Sequence, residues 1–379
     1  MRALSEKISA IPPSATIEIT DTANRMAREG IDVVSLSIGE PDFATPAHIT
    51  EACIEALRRG ETHYAPSPGI PELREAIAEK IAGENDIPAR PEDIIVTCGA
   101  KDAIYEAMEA VLNPGDEAVI LDPAWVSYEP CVQIAGGRPV HYRLNERTFQ
   151  VDDGLVERVG QKTRMIVVNS PSNPAGSVLN DASLALLADL CCDYDLIAVS
   201  DEIYEKLIYG KPHRSLAAIG DMHERTVTIN GFSKAYAMTG WRIGYAVAPA
   251  PVLRQMVKVQ QHTISHPATF AMWGAVAALR GDQACVEEMR REFDGRRRYI
   301  IDELADMGYA TAPADGAFYA FVKVEGDDME IARRWLHEAR VAVTPGTAFN
   351  APGWIRLSYA ADLARLKEAM RRIRAVRRS

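Results

Sequence analysis

Between about residues 94 and 250, short apolar runs rich in β-branched residues alternate with longer stretches whose apolar positions recur at helical spacing. The runs are IIVTCG (94–99), EAVILD (117–122), MIVVNS (165–170), LIAVSDE (196–202), TVTING (226–231) and GYAVAP (244–249). Most lack polar alternation, as strands covered on both faces do, so the pattern predicts a mostly parallel α/β sheet. Among the helices, AKDAIYEAMEAVL follows Gly99, and DASLALLADLCCDY has Asp181 placed as its N-cap.

After Ala250 the pattern becomes helix-rich. DQACVEEMRREFDGRRRYIIDELADMG (282–308) reads as a long solvated helix. GAFYAFVKV, a helix over about 328–340, VAVTPG, WIRLSY and the basic helix ADLARLKEAMRRIRAVRRS follow it. This is the pattern of a smaller α+β domain. The expected division is 1–45 for an N-terminal arm that joins the small domain, 46–280 for the large domain and 281–379 for the rest of the small one.

Composition narrows the ligand class. With 47% hydrophobic and 25% charged residues over 379 positions, the chain is of ordinary globular type. Its 53 acidic against 42 basic residues give a net charge of −11, which argues against a nucleic-acid partner and for a small molecule. The arginine-rich C-terminus reads as a solvated helix face matching the macrodipole. Cysteines 53, 98, 131, 191, 192 and 285 form no CxxC pair and no zinc-type spacing. They are expected to be reduced, mostly buried thiols, with no metal. The first twenty residues carry charges and two prolines where a secretory signal needs an unbroken apolar run, and no segment reaches the roughly 18 apolar residues of a membrane span. A cytoplasmic protein with no membrane partner is the expectation.

The sequence lacks GxGxxG after the first strand, GxxxxGK[ST], HExxH and GxSxG; GFSKA is no nucleophile elbow, because Ala235 stands where the second glycine belongs. An open α/β sheet nevertheless places its ligand beyond the carboxyl ends of its strands. Those ends supply Gly99-Ala100-Lys101, Asp122 to Trp125, Asn169 to Asn173, Asp201 to Tyr204, and Gly231 to Lys234. Gly99 to Lys101 open a helix and suit an anion held by free backbone N–H groups. An aromatic plate, a carboxylate, a phenol, an anion cradle and a lysine in one crevice are what a pyridoxal phosphate site requires.

Nine blocks then resemble, in order, the class I aminotransferases of pyridoxal phosphate fold type I, especially the prokaryotic aspartate aminotransferase branch. They are SLSIGEPDFATP, THYAPSPGIPELREAIA, GAKDAIYEAMEAVLNPGDE, PAWVSY, NSPSNPAG, SDEIYE, NGFSKAYAMTGWRIGY, GAFY and IRLSYA. The resemblance implies a three-layer fold and pyridoxal 5′-phosphate as cofactor, with transamination between an L-amino acid and a 2-oxo acid. Lys234 then corresponds to the Schiff-base lysine and proton shuttle, Asp201 to the partner of the pyridine nitrogen, Tyr204 and Asn173 to donors toward the cofactor's phenolic oxygen, and Trp125 to the stacking ring. Gly99, Ala100, Ser233 and Arg242 would hold the phosphate, with Tyr64 reaching across from a second subunit of a homodimer.

By the same resemblance, Arg356 takes the substrate α-carboxylate, assisted by Asn173 and the backbone at Gly39. Lys101 meets a distal carboxylate, which favours aspartate with 2-oxoglutarate over aromatic amino acids, alanine or kynurenine. Pro12 stands in the arm where relatives handling prephenate tend to carry lysine, which weakens that reading. His262 and Thr263 would line the pocket from the partner and make it less cationic than in animal-type enzymes. Fold type I lyases share the lysine and stay open as an alternative. A transcription regulator on this fold would need an added helix-turn-helix domain, and the sequence shows no such segment before the arm.

Overall fold

The computed structural model describes residues 4–11, 17–210 and 212–377, so Pro12 lies outside the described residues. In chain order the strands are β1 (Val34–Ser35), β2 (Ile94–Thr97), β3 (Glu117–Asp122), β4 (Arg138–Arg143), β5 (Thr163–Asn169), β6 (Ile197–Asp201), β7 (Thr226–Gly231), β8 (Gly244–Val247), β9 (Tyr319–Lys323), β10 (Val341–Ala342), β11 (Thr344–Pro345) and β12 (Trp354–Ser358). Seven form one sheet in the order β2-β8-β7-β6-β5-β3-β4. From β7 to β4 the neighbours run parallel, whereas β8 is antiparallel to both β2 and β7.

Six of the seven are the apolar runs of the sequence. The unforeseen one, β4, lies at the edge with Arg138 and Arg143 exposed, and a half-solvated strand carries no continuous apolar run. Helices cover both faces. Ile104 and Met108 of helix Ala100–Val111 pack with Val167, Ile229 and Met256 on one side, and Leu184, Leu187 and Cys191 of helix Asp181–Asp193 pack with Val119 and Val168 on the other. These layers are the three-layer α/β architecture of fold type I.

A second core joins the two ends of the chain. Ala23 and Met26 from helix Ile17–Arg28 meet Phe318 and Tyr319 at the start of β9, Trp335 of helix Asp328–His337, Leu357 of β12, and Met370 and Ile373 of helix Leu363–Arg377. Parallel pairing of β1 with β10 and the antiparallel sheet β11-β12-β9 complete it.

Several local expectations change. Asn180, not Asp181, caps its helix, accepting from Ser183 N–H at 2.8 Å; Asp181 is the first helical residue and pairs with Arg214. Helix Ala284–Asp306 is not solvated all round. It buries Val286, Met289, Phe293, Arg296, Ile300 and Leu304, a stripe at three- and four-residue spacing. Buried Arg296 bonds Asp42 at 2.7 Å and Glu292 at 2.9 Å. The helix expected over 328–340 ends at His337. In the basic C-terminal helix, Arg365 and Arg372 pair with Asp32, and Arg374 with Glu303. All six cysteines are free thiols, but only Cys131 and Cys191 are buried; Cys192 is exposed.

Candidate active site

A cavity of about 440 Å³ opens where β5, β6 and β7 end. Asn169 and Asp201 terminate β5 and β6, Ser233 and Lys234 follow β7, Trp125 follows β3, and Ala100 and Lys101 form the first turn of helix Ala100–Val111. Convergence at the carboxyl ends follows from the sheet: parallel strands all deliver their last residues to the same edge. Two glycines let that edge close. A Cβ on Gly244 would overlap the Ala100 backbone nitrogen, and one on Gly231 would lie 2.9 Å from Gly244 Cα. Gly240 faces open space, so close approach does not explain it.

The helix start forms an anion cradle. Gly99, its N-cap, adopts φ 83°, and a Cβ there would sit 2.5 Å from Arg242 Nη2. Arg242, itself left-handed at φ 57°, donates to the carbonyls of Thr239 at 2.7 Å and Cys98 at 3.3 Å. The Gly99 N–H is taken by the Thr97 carbonyl at 2.8 Å, so the guanidinium lies beside a helix start whose Ala100 and Lys101 N–H groups have no partner among the described residues, with Ser233 also on the cavity wall.

Facing the cradle, Lys234 Nζ donates to the Gly39 carbonyl at 2.7 Å. Burial pushes its ionisation down to about 8, Glu40 opposes the fall, and Arg356 and Arg242 add to it. Asp201 accepts from the Tyr128 hydroxyl at 2.7 Å and from Ile203 N–H at 3.3 Å. Burial still carries its ionisation up to about 6. A buried carboxylate in that condition is suited to a cationic partner. The Tyr204 hydroxyl meets that of Tyr319 at 2.7 Å.

Asn169 donates its side-chain amide to the Asp201 carbonyl at 2.9 Å and accepts from Asn173 N–H at 2.8 Å, which fixes the turn after β5. Asn173 Oδ1 in turn accepts from Arg356 at 2.8 Å. Arg356 projects from β12, donates to the Ser37 carbonyl at 2.6 Å, and lies 4.5 Å from the Tyr319 ring centroid and 4.9 Å from that of Phe349. It is only 6% exposed, which excludes a solvent-facing strand arginine, and its buried Nε has no partner among the described residues. A buried cation without a carboxylate partner is held ready for an anion.

Residues 31–373 match the family model for aminotransferase class I and II. The chain is a class I and II aminotransferase. It is 44% identical to the aspartate aminotransferase of Pyrococcus abyssi, covering 99% of this chain and 98% of that one. To the aspartate/prephenate aminotransferase of Thermus thermophilus it is 43% identical over 99% of both chains. The solved structure of the Thermus thermophilus aspartate aminotransferase with maleate superposes at a TM-score of 0.96, with 42% identity, covering 99% of this chain and all of that one. Fold and family together imply pyridoxal phosphate as cofactor.

In this aminotransferase, Gly39, Ala100, Lys101, Trp125, Asn173, Asp201, Tyr204, Ser233, Lys234, Arg242 and Arg356 all line the one cavity, with Gly99 directly behind Ala100. Lys101 is an exposed residue in the first helical turn, but its Nζ lies 4.8 Å from the Trp125 ring centroid, at the cavity rather than in open solvent. Tyr64, His262 and Thr263 lie outside the cavity of the single chain. Tyr64 is 92% exposed, its ring edge-on to His266 at 5.7 Å, and His262 and Thr263 are exposed at the end of helix Ala250–Thr263. Sequence reasoning assigned no role to Tyr128, Tyr319 and Phe349. The first two stood inside the recognised blocks PAWVSY and GAFY, but nothing in a linear block reveals which neighbour a phenol faces. Behind Asp201, Glu202 accepts from Ser200, Ser215 and His213, and Glu205 pairs with Lys80, so these buried charges are matched within the protein.

Proposed function

We propose that this aminotransferase transfers an amino group from L-aspartate to 2-oxoglutarate by a ping-pong mechanism with pyridoxal 5′-phosphate. The observation that carries the reading is the single cavity in which Lys234, Asp201, the Arg242-flanked helix start and the buried, incompletely partnered Arg356 face one another. The residues fit the cofactor. The cradle at Gly99 and Ala100 accepts a dianionic phosphate beside Arg242 and Ser233, Trp125 offers a ring face, and Asp201 offers a buried negative charge. Bound pyridoxal phosphate supplies an aldehyde for amines and a ring that withdraws electrons from the substrate Cα.

The chain's own groups do the rest. Asp201 would keep the ring nitrogen protonated, and Tyr204 and Asn173 would donate to the phenolic oxygen. Lys234, whose lowered ionisation leaves part of it neutral near pH 8, would be the residue that holds the cofactor's aldehyde carbon and that holds and moves the proton at the substrate Cα. Arg356 takes the α-carboxylate as a two-point clamp with Asn173 and the Gly39 backbone, and Lys101 takes the distal carboxylate.

Tyr64, exposed in one chain, reaches the phosphate of a second copy in a homodimer, where His262 and Thr263 line the partner's pocket. The division at 45/46 and 280/281 separates a large cofactor-binding domain from a small one. A cytoplasmic location agrees with the absence of any described helix long and apolar enough to cross a membrane. A second reading, prephenate as amino acceptor, is favoured by the Thermus thermophilus relative that carries that name.

The half reaction tests the proposal. Protein loaded with pyridoxal 5′-phosphate and mixed with L-aspartate alone should convert its visible absorbance to that of pyridoxamine phosphate. An unchanged spectrum with aspartate, alongside conversion by phenylalanine, tyrosine, alanine or kynurenine, would refute the aspartate assignment. Subsequent recovery of the band by prephenate but not by 2-oxoglutarate would favour the second reading.

A further inference from the structure

Three parts of the cavity meet on Tyr319, which has no role in the scheme above. Its hydroxyl lies 2.7 Å from that of Tyr204. Its ring lies 4.5 Å from the Arg356 guanidinium carbon. A Cβ on Gly39, whose carbonyl receives Lys234, would overlap its hydroxyl oxygen. The side chain is 1% exposed, and it opens β9, the strand paired with the Arg356 strand β12. Tyr319 is therefore fixed against the phenol, the guanidinium and the lysine's acceptor at once.

The two hydroxyls have no other hydrogen-bond partner among the described residues, and each phenol has one proton to give. If Tyr204 donates to Tyr319, it turns a lone pair toward the cavity, where the cofactor's anionic oxygen would lie, and an oxyanion gains nothing from a lone pair. If Tyr319 donates to Tyr204, both hydroxyls are satisfied and Tyr204 offers its proton to that oxygen. Burial raises the ionisation of both phenols and Arg356 lowers both, but the guanidinium carbon lies 4.5 Å from the Tyr319 ring centroid, which makes Tyr319 the more acidic of the two and the better donor.

We propose that Tyr319 is a positioning residue. It aims the Tyr204 hydroxyl at the cofactor's phenolic oxygen, and its ring face seats Arg356 for the substrate carboxylate. The inference rests on the pyridoxal phosphate reading given above. The charged and titratable groups around the pair are Arg356 from β12, Asp201 at the end of β6 and Lys234 after β7, with Glu40 and Arg242 acting on Lys234.

Tyr319→Phe keeps the ring and removes the hydroxyl. Loaded with pyridoxal 5′-phosphate it should form the same visible band, but the pH midpoint of that band should rise by about half a unit or more, because a weaker donor leaves the conjugated nitrogen more basic. With it, kcat should fall about tenfold while KM for L-aspartate stays within about twofold. Tyr319→Leu removes the ring as well and should add a rise in KM of about tenfold. An unchanged midpoint and kcat in Tyr319→Phe overturn the proposal, and that variant alone decides if Tyr319→Leu does not fold. A wild-type protein that forms no visible band with pyridoxal 5′-phosphate overturns the cofactor reading and this inference with it.

Discussion

Replacing Lys234 with methionine should make the cofactor-free protein more stable while abolishing its activity. The side chains are similar in length, so the cavity wall is kept and the charge is lost. A lysine that ionises at about 8 instead of 10.5 has lost roughly 3 kcal/mol of preference for its charged form, and the folded state carries that cost wherever the ammonium is protonated. Against this, methionine leaves the Gly39 carbonyl without its 2.7 Å donor, a loss of about 1 kcal/mol. The net gain near neutral pH is about 2 kcal/mol.

The pH dependence gives the sign. Because the folded value lies below the unfolded one, the wild-type cost is fully present below about 8, shrinks between about 8 and 10.5, and is gone above that. The variant's advantage should follow the same course and end as a deficit of about 1 kcal/mol, the hydrogen bond alone. Urea unfolding of both cofactor-free proteins, at equal protein concentration and at pH 7, 9 and about 10.5, measures it. A variant less stable than wild type at pH 7, or an advantage that does not shrink with pH, refutes the reasoning. Added pyridoxal 5′-phosphate should reverse the ranking at pH 7, since only the wild type can bind it covalently.

Two further variants test the substrate assignment. Lys101→Ala should lower kcat/KM for aspartate about tenfold or more through the lost charge-assisted contact while leaving phenylalanine nearly unchanged; equal losses on both would show that Lys101 supports the helix start instead of reading the side chain. Arg356→Lys keeps the charge but not the two-point fork, and should raise KM for every amino acid substrate by about 100-fold with little change in the cofactor's absorbance. A KM that moves for aspartate alone would place Arg356 at the distal carboxylate.

Six strands of the large sheet were legible because their residues are almost all buried, so burial and sequence carry the same information. β4 was not, since an edge strand mixes arginines with its apolar positions. The helix over 284–306 was legible as a helix but not as a core element, because its many charges hide a stripe that includes a buried arginine. Asp181 and Asn180 are both good caps by residue type, and only the hydrogen bond to Ser183 N–H separates them.

The site divides in the same way. Strand-end positions marked Lys234, Asp201, Tyr204, Trp125 and Asn173, since a parallel sheet sends its carboxyl ends to one edge and the order of the runs already says which residues those are; Arg242 and Arg356 were marked by the family resemblance alone. What the sequence could not say is how these groups face one another. Burial lowers the ionisation of Lys234 and Arg356 adds to the fall, while Gly39 accepts its hydrogen bond, and these two partners come from the far end and the near end of the chain. The Tyr204–Tyr319 contact spans 115 residues. The seating of Arg356 between Tyr319 and Phe349 needs β9, β12 and the turn before Asn350 to be packed together. Chain order determines which chemical groups reach the crevice; their solvation, protonation and hydrogen-bond direction are set by neighbours that only tertiary packing supplies.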